Sequence, residues 1–409
     1  MIASATLLAM QLPGVAAFRR RVVDHLAVGA SVLCLISDGT YLAPLREQLL
    51  SDLESAYLDY ALVDLTECGS TQPPPTQLLR QQLGLSPATS PEFSLQRLLQ
   101  DSNWPSVVVI IGLEQRDATE RDRWLRFFEA WADATHSAAS VGNGHRPRLL
   151  AWLTPQDEDR LPGEETFLRR VWWWSLPSSL EMALLCRLLA EGEAGAEPSQ
   201  LLWREALLPT LAGNDAALLE YLWPNVFAEP RHLLHCLTAY ALERGWSAVT
   251  LRRWGTEAYR GRTSVRSAER LDAIGRGLWA RGVLAHTVEH GLRLSSAALA
   301  VLGDTANLRH RLWQGQAALV LPLVNQVRLS ACRHVVGETG SRPSSGEIDD
   351  ADYDSLEWGP LKQRLREVTN PSLRHLGPRV EHAHQVRNTL AHYSLIRFTD
   401  FERLLSTMV

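Results

Sequence analysis

"SVLCLISDGTYLAPLREQLLSDLES", residues 31–55, decides the fold class. SVLCLI (31–36) is a short apolar run, SDGT (37–40) a turn, and LAPLREQLLSDLES (42–55) repeats its leucines at helical spacing. The same alternation continues outward. YALVDL (60–65), VVVIIGL (107–113), RLLAWLT (148–154) and RVWWWSL (170–176) are strand candidates. ERDRWLRFFEAWADAT (120–135) and SLEMALLCRLLAEG (179–192) are amphipathic helices, while CGSTQPPPT (68–76) and SVGNGHRP (140–147) are loops. Strand and helix in alternation predict a parallel sheet covered by helices over residues 1–192.

Beyond a linker, GEAGAEPSQ (192–200), the strand signal stops. PRHLLHCLTAYALERG (230–245), AVTLRRWGTEAYRG (248–261) and SAERLDAIGRGLWARG (267–282) are helix candidates ending at or near glycine. VLAHTVEHGLRLSS (283–296) then predicts two short strands around a turn, which together outline a winged helix in residues 193–304. Residues 305–409 are read as all-helical, with helices over 309–336, 356–368, 380–394 and 398–408. The polar stretch GETGSRPSSGEIDDADYDS (337–355) is read as a mobile loop. The expected class is therefore multidomain: an α/β parallel sheet, a helical and winged-helix module, and an all-α bundle.

A length of 409 residues fits two or three cores. The net charge of -5 gives no global attraction to nucleic acid, so any such contact needs a local basic patch. Lys362 is the sole lysine among 41 Lys+Arg residues. Cys34, Cys68, Cys186, Cys236 and Cys332 are far apart and contain no C-x-x-C pair, which argues against a disulfide framework and for a reducing cytoplasm. MIASATLLAMQLPG (1–14) lacks the basic start of a signal peptide, and no apolar run approaches membrane-spanning length. His232, His235 and Cys236 in RHLLHC (231–236) include one pair a helical turn apart, without a visible fourth ligand; ordinary helix residues are the expectation, and no metal or cofactor is expected.

The first block resembles the P-loop ATPases of the AAA+ and STAND kind. LPGVAAFRRRVVDHLAVGASVLCLI (12–36) is similar to their helix and first strand, and SVVVIIGLEQ (106–115) to their Walker B strand, ending at Glu114. The loop between departs from the pattern. SDGTYLAP (37–44) has one glycine and no lysine, and Asp38 puts a negative charge where phosphate would sit. A degenerate scaffold without ATP hydrolysis is expected.

In the middle block, SVRSAERLDAIGRG (264–277) is the expected recognition helix, with Arg262, Arg266, Arg270 and Arg276 on or beside it. These arginines suit DNA phosphates and guanine edges; the alternative is that they are solvated or pair with Glu269 and Asp272.

RNTLAH (387–392) matches the R-N-x-x-x-H signature of HEPN domains, which the last block resembles over about residues 305–409. That resemblance implies metal-independent RNA cleavage by Arg387, Asn388 and His392. A histidine titrates near neutral pH and serves as acid or base, and an arginine grips phosphate oxygens in two places. Residues five apart on a helix are turned by about 140°, so Arg387 and His392 diverge within one chain, and the resemblance implies a dimeric or higher assembly. His382 and His384 either widen the basic patch or are exposed helix residues. Glu357 either bonds Arg387 or is a helix N-terminal charge. The resemblance points to an effector of a bacterial antiphage or toxin system, triggered by a partner protein. The alternatives are a non-catalytic adaptor of a defence complex and a DNA-binding regulator.

Overall fold

The structure, a computed structural model, describes residues 4–37, 39–66, 73–85, 95–99, 103–139, 147–154, 161–193, 195, 197–261, 265, 267–339, 356–367, 370 and 373–406. The N-terminal elements are α1 (Ala5–Ala9), α2 (Pro13–Ala27), β1 (Ser31–Leu35), α3 (Leu42–Ser55), β2 (Tyr60–Asp64), α4 (Pro75–Gln82), α5 (Leu95–Leu99), β3 (Val107–Ile111), α6 (Ala118–Ala139), β4 (Arg148–Leu153), β5 (Leu168–Trp172) and α7 (Ser179–Glu191). The five strands form one all-parallel sheet in the order β2-β3-β4-β1-β5. Every residue of β1 and β3 is buried, as unbroken apolar strands require when helices cover both faces.

Side chains alternate between those faces. Val32, Cys34, Val107, Val109 and Trp152 enter one core; Leu33, Leu35, Val108, Ile110 and Leu153 enter the other, with Leu78 and Leu79 of α4 and Trp124, Phe128 and Trp131 of α6. The edge strand β5 is shorter than the predicted 170–176. Trp173 still donates its N–H to the Leu35 carbonyl at 2.8 Å, but Ser175 adopts φ 59°, which turns the chain out of the sheet.

The helical segment holds α8 (Pro198–Ala212), α9 (Ala216–Leu222), α10 (Pro230–Glu243), α11 (Ala248–Arg253), α12 (Ala273–Ala280), the antiparallel hairpin β6 (Leu284–Thr287) and β7 (Gly291–Leu294), and α13 (Ser296–Val301). The predicted helix over 267–282 is corrected. Residues 268–270 make one 3₁₀ turn, Leu271 is extended, and the Asp272 carboxylate then caps α12 by accepting from Gly275 N at 2.6 Å. This module covers the β5 edge. Trp172 and Trp174 pack on Trp279 at 5.6 and 6.0 Å, Trp174 stacks on His286 at 4.6 Å, and Arg170 pairs with Glu269 at 3.2 Å.

The C-terminal helices are α14 (Thr305–Thr339), α15 (Trp358–Glu367), α16 (Leu376–Ala391) and α17 (Phe398–Ser406). The mobile-loop reading of 337–355 falls mostly on 340–355, outside the described residues. Helix α14 lies closely on α8: a Cβ on Gly315 would stand 2.6 Å from the Ala206 carbonyl oxygen, so glycine is what allows the approach. Trp203 of α8 packs against Phe398 and Phe401 of α17 at 5.6 and 5.3 Å. The core on the Val32 face thus runs without a break through Trp203 and Leu208 to Leu312, Val320 and Phe401. Among the described residues, no helix is long and apolar enough to cross a membrane.

Candidate active site

The RNTLAH stretch lies at the C-terminal end of α16. The helix stops in a Schellman motif: Ser394 N donates to the Thr389 carbonyl at 2.9 Å and Tyr393 N to that of Leu390 at 3.0 Å, with Tyr393 left-handed at φ 54°. Tyr393 is not glycine, and its ring is held against Trp313 of α14 at 4.6 Å. The Trp313 indole also donates to the Leu390 carbonyl at 2.7 Å, satisfying one of the last carbonyls of α16. Below this end, the buried Gln316 carboxamide donates to the Ile396 carbonyl and accepts from Ile396 N, at 2.9 and 3.0 Å. His392 is the exposed C-cap, fixed by these anchors.

Arg387 is exposed and donates to Asn388 Oδ1 at 3.1 Å. Asn388 Nδ2 lies 3.2 Å from His384 Nε2, and Lys362 Nζ lies 2.9 Å from His384 Nδ1. Lys362 also pairs with Glu381 at 3.3 Å, and Trp358 stacks on the His384 ring at 5.4 Å. A chain of polar groups therefore runs Lys362, His384, Asn388, Arg387 across α15 and α16. A neutral imidazole has one acceptor nitrogen, so His384 accepts from Lys362 or from Asn388, and a protonated ring accepts from neither. Burial holds His384 below the ordinary histidine value, Lys362 and then Arg387 push the same way, and Glu381 opposes them. The neutral form that this chain needs is thereby favoured.

Neither reading of His382 as a patch residue or an exposed one holds. It is buried under α17, and its Nε2 donates to the Asp400 carbonyl at 3.0 Å, so it joins two helices. Glu357 is exposed immediately before α15 and makes no hydrogen bond or ion pair with Arg387, which leaves it as a helix N-terminal charge. Arg387 and His392 share no hydrogen bond within the chain. Sequence reasoning missed Lys362 as a member of this cluster; its signal was that it is the sole lysine, carried on the helix that precedes the motif.

The other sequence-predicted groups lie elsewhere. Of the four arginines proposed for nucleic acid, Arg262 and Arg266 lie outside the described residues. Arg270 is exposed on the 3₁₀ turn, and Arg276 is half-buried, donating to the Leu271 carbonyl at 2.9 Å. Glu269 is taken by Arg170 and Trp172, and Asp272 by Tyr259 and Gly275. His232 and His235 are exposed whereas Cys236 is buried, and among the described residues no three His, Cys, Asp or Glu side chains converge on a metal position.

Asp38 lies outside the described residues. Residues 39–41 form a 3₁₀ turn that leads straight into α3. There the buried Tyr41 hydroxyl donates to the Asn214 carbonyl and accepts from Ala216 N, both at 2.7 Å, and Arg244 donates to Thr40 Oγ1 at 3.2 Å. Glu114 sits in a 3₁₀ turn after Gly112, beside Gln115. The carboxyl end of β1, where open parallel sheets bind ligands, is therefore tied to the N-terminus of α9.

No family profile, curated protein or solved structure matches this chain.

Proposed function

We propose that this protein is a metal-independent endoribonuclease of the HEPN type, the effector of a bacterial antiphage or toxin system. In this reading residues 1–192 are a degenerate ATPase-like scaffold, 193–304 a winged-helix connector and 305–409 the effector. The observation that carries it is the cluster at the end of α16. Arg387, Asn388, His384 and Lys362 form one polar chain over two helices, and the exposed His392 caps the same helix end.

The chemistry follows from those groups. His392 takes the proton of the ribose 2′-hydroxyl, and the oxygen attacks phosphorus. The O2′–P bond forms as the P–O5′ bond breaks, leaving a 2′,3′-cyclic phosphate and a 5′-hydroxyl once the leaving oxygen gains a proton. Arg387 offsets the charge that builds on the phosphoryl oxygens, and Lys362, itself paired with Glu381, stands behind His384. His384 holds Asn388, which in turn receives Arg387. Because Arg387 and His392 diverge on one helix, the complete site takes its arginine and histidine from two copies. Tyr41 binding the β1 turn to α9 supports a scaffold that does not cycle nucleotide.

The test is complementation. Arg387→Ala and His392→Ala are each expected to be inactive, and their mixture to recover part of wild-type cleavage, because a mixed dimer holds one intact site. Wild type that cuts while the mixture stays dead would overturn the two-copy site. A second reading, a non-catalytic adaptor, draws on Arg387 having one described partner, from its own helix.

A further inference from the structure

A cluster of three arginines, with two histidines and an asparagine, lies where the hairpin meets the first turns of α14. Arg260, His290, Arg293, Asn307, His310 and Arg311 line one cavity there. Its volume of about 80 Å³ has room for several waters or one small oxyanion. Arg311 is buried and, among the described residues, makes no ion pair. It donates to Ser296 Oγ and to the Leu294 carbonyl, both at 2.6 Å, and both are neutral acceptors. Arg293 stands close enough to repel it, and burial and that repulsion, opposed by Asp304, hold the guanidinium well below its ordinary range. A buried cation whose direct hydrogen-bond partners are all neutral is poorly compensated, so the cavity favours an incoming anion.

The carboxylates nearby are engaged. Asp304 accepts from Asn307 N and Nδ2 at 3.2 and 2.8 Å, and Glu257 pairs with Arg260 at 2.9 Å. Arg293 donates to the Thr210 carbonyl at 3.3 Å.

This cavity is linked to α16 by rings. His310 stacks on Trp313 at 5.6 Å, Trp313 packs on Tyr393 at 4.6 Å, and Tyr393, 61% exposed, adjoins His392 in the chain. We propose that this cavity is a subsite for one backbone phosphate of single-stranded RNA, and that the exposed Tyr393 ring receives a neighbouring base on the way to His392. An unpaired base has a free face for an aromatic ring, which a duplex lacks. The inference rests on the ribonuclease reading for the direction of the strand.

The experiment measures binding apart from cleavage. Fluorescence anisotropy is read on the full chain with a short, end-labelled single-stranded RNA whose sugars are all 2′-O-methylated, so that it cannot be cut. Arg311 is buried, so the variants are placed at Arg293→Gln and Tyr393→Ala, with circular dichroism melts to confirm folding. Arg293→Gln is expected to weaken binding about tenfold and to flatten the slope of log Kd against log salt by about 0.7, the loss of one single-strand phosphate contact. Tyr393→Ala is expected to weaken it by about tenfold as well, the typical worth of one stacked base. Unchanged RNA affinity in both folded variants would overturn the subsite. So would ATP or inorganic phosphate that binds through Arg293 while RNA does not, since the site would then serve free phosphates. Arg293-dependent binding by a wild type that leaves unmodified RNA intact, with partner proteins also supplied, would support the subsite and sink the ribonuclease reading.

Discussion

Tyr41→Phe removes one oxygen and keeps the ring. The ring packs on Trp173 at 5.2 Å, and that contact stays. The loss is the pair of hydrogen bonds to Asn214 and Ala216, both at 2.7 Å. Ala216 is fully buried at the start of α9, so its N–H has no water to turn to. A net hydrogen bond is worth about 1 kcal/mol, and a buried donor left unmade costs about 1–3 kcal/mol. With the Asn214 carbonyl half-buried, the sum is about 2–4 kcal/mol. The assay is urea unfolding followed by tryptophan fluorescence, wild type beside variant, with slope and midpoint fitted together. A lower midpoint at unchanged slope is expected. Added Mg-ATP is expected to raise neither midpoint, because a ligand stabilises only what it binds. A variant within about 0.5 kcal/mol of wild type would refute the claim that the β1 turn is anchored to the helical segment.

Acid should weaken the fold. His25, His286 and His384 all titrate below the ordinary histidine value, with burial the largest cause for each. Below about pH 6.5 the unfolded chain binds protons that the folded chain resists, so stability is full above that pH and falls beneath it. Thermal melts at pH 7.5 and 5.5 should differ in that direction, and His286→Gln should reduce the difference; a melting temperature that rises on acidification contradicts it. Gly112→Ala should cost about 1–3 kcal/mol, because φ is 85° and the new Cβ would meet Thr66 Cγ2 at 2.6 Å; chemical denaturation reads it. Trp279→Ala, at the junction of α12 and β5, should cost about 3–5 kcal/mol by the same measurement.

The sheet was legible because its strands are buried on both faces. VVVII admits few other readings when it is short and bounded by turns, and α3 begins and ends where its leucine spacing does. Helices α8 and α9 were not. LLWREALLPTLA is apolar around most of its circumference and carries Pro209 inside, so it has neither a clear stripe nor an uninterrupted pattern. The break at Leu271 leaves no mark in the apolar spacing; only the Asp272 carboxylate, which caps Gly275 N, shows that a new helix starts there. At the candidate site, RNTLAH is contiguous and was found. Lys362 and His384 stand 22 positions apart and meet only when α15 packs on α16. The burial of His382 depends in the same way on α17, which no local pattern encodes.

RNA cleavage by the purified protein in EDTA, wild type beside Arg387→Ala and His392→Ala, tests the ribonuclease most directly. Cleavage by wild type alone, with 2′,3′-cyclic phosphate ends, is the predicted result. Intact RNA in every sample, with partner proteins also supplied, would contradict the ribonuclease and leave the end of α16 as an assembly surface.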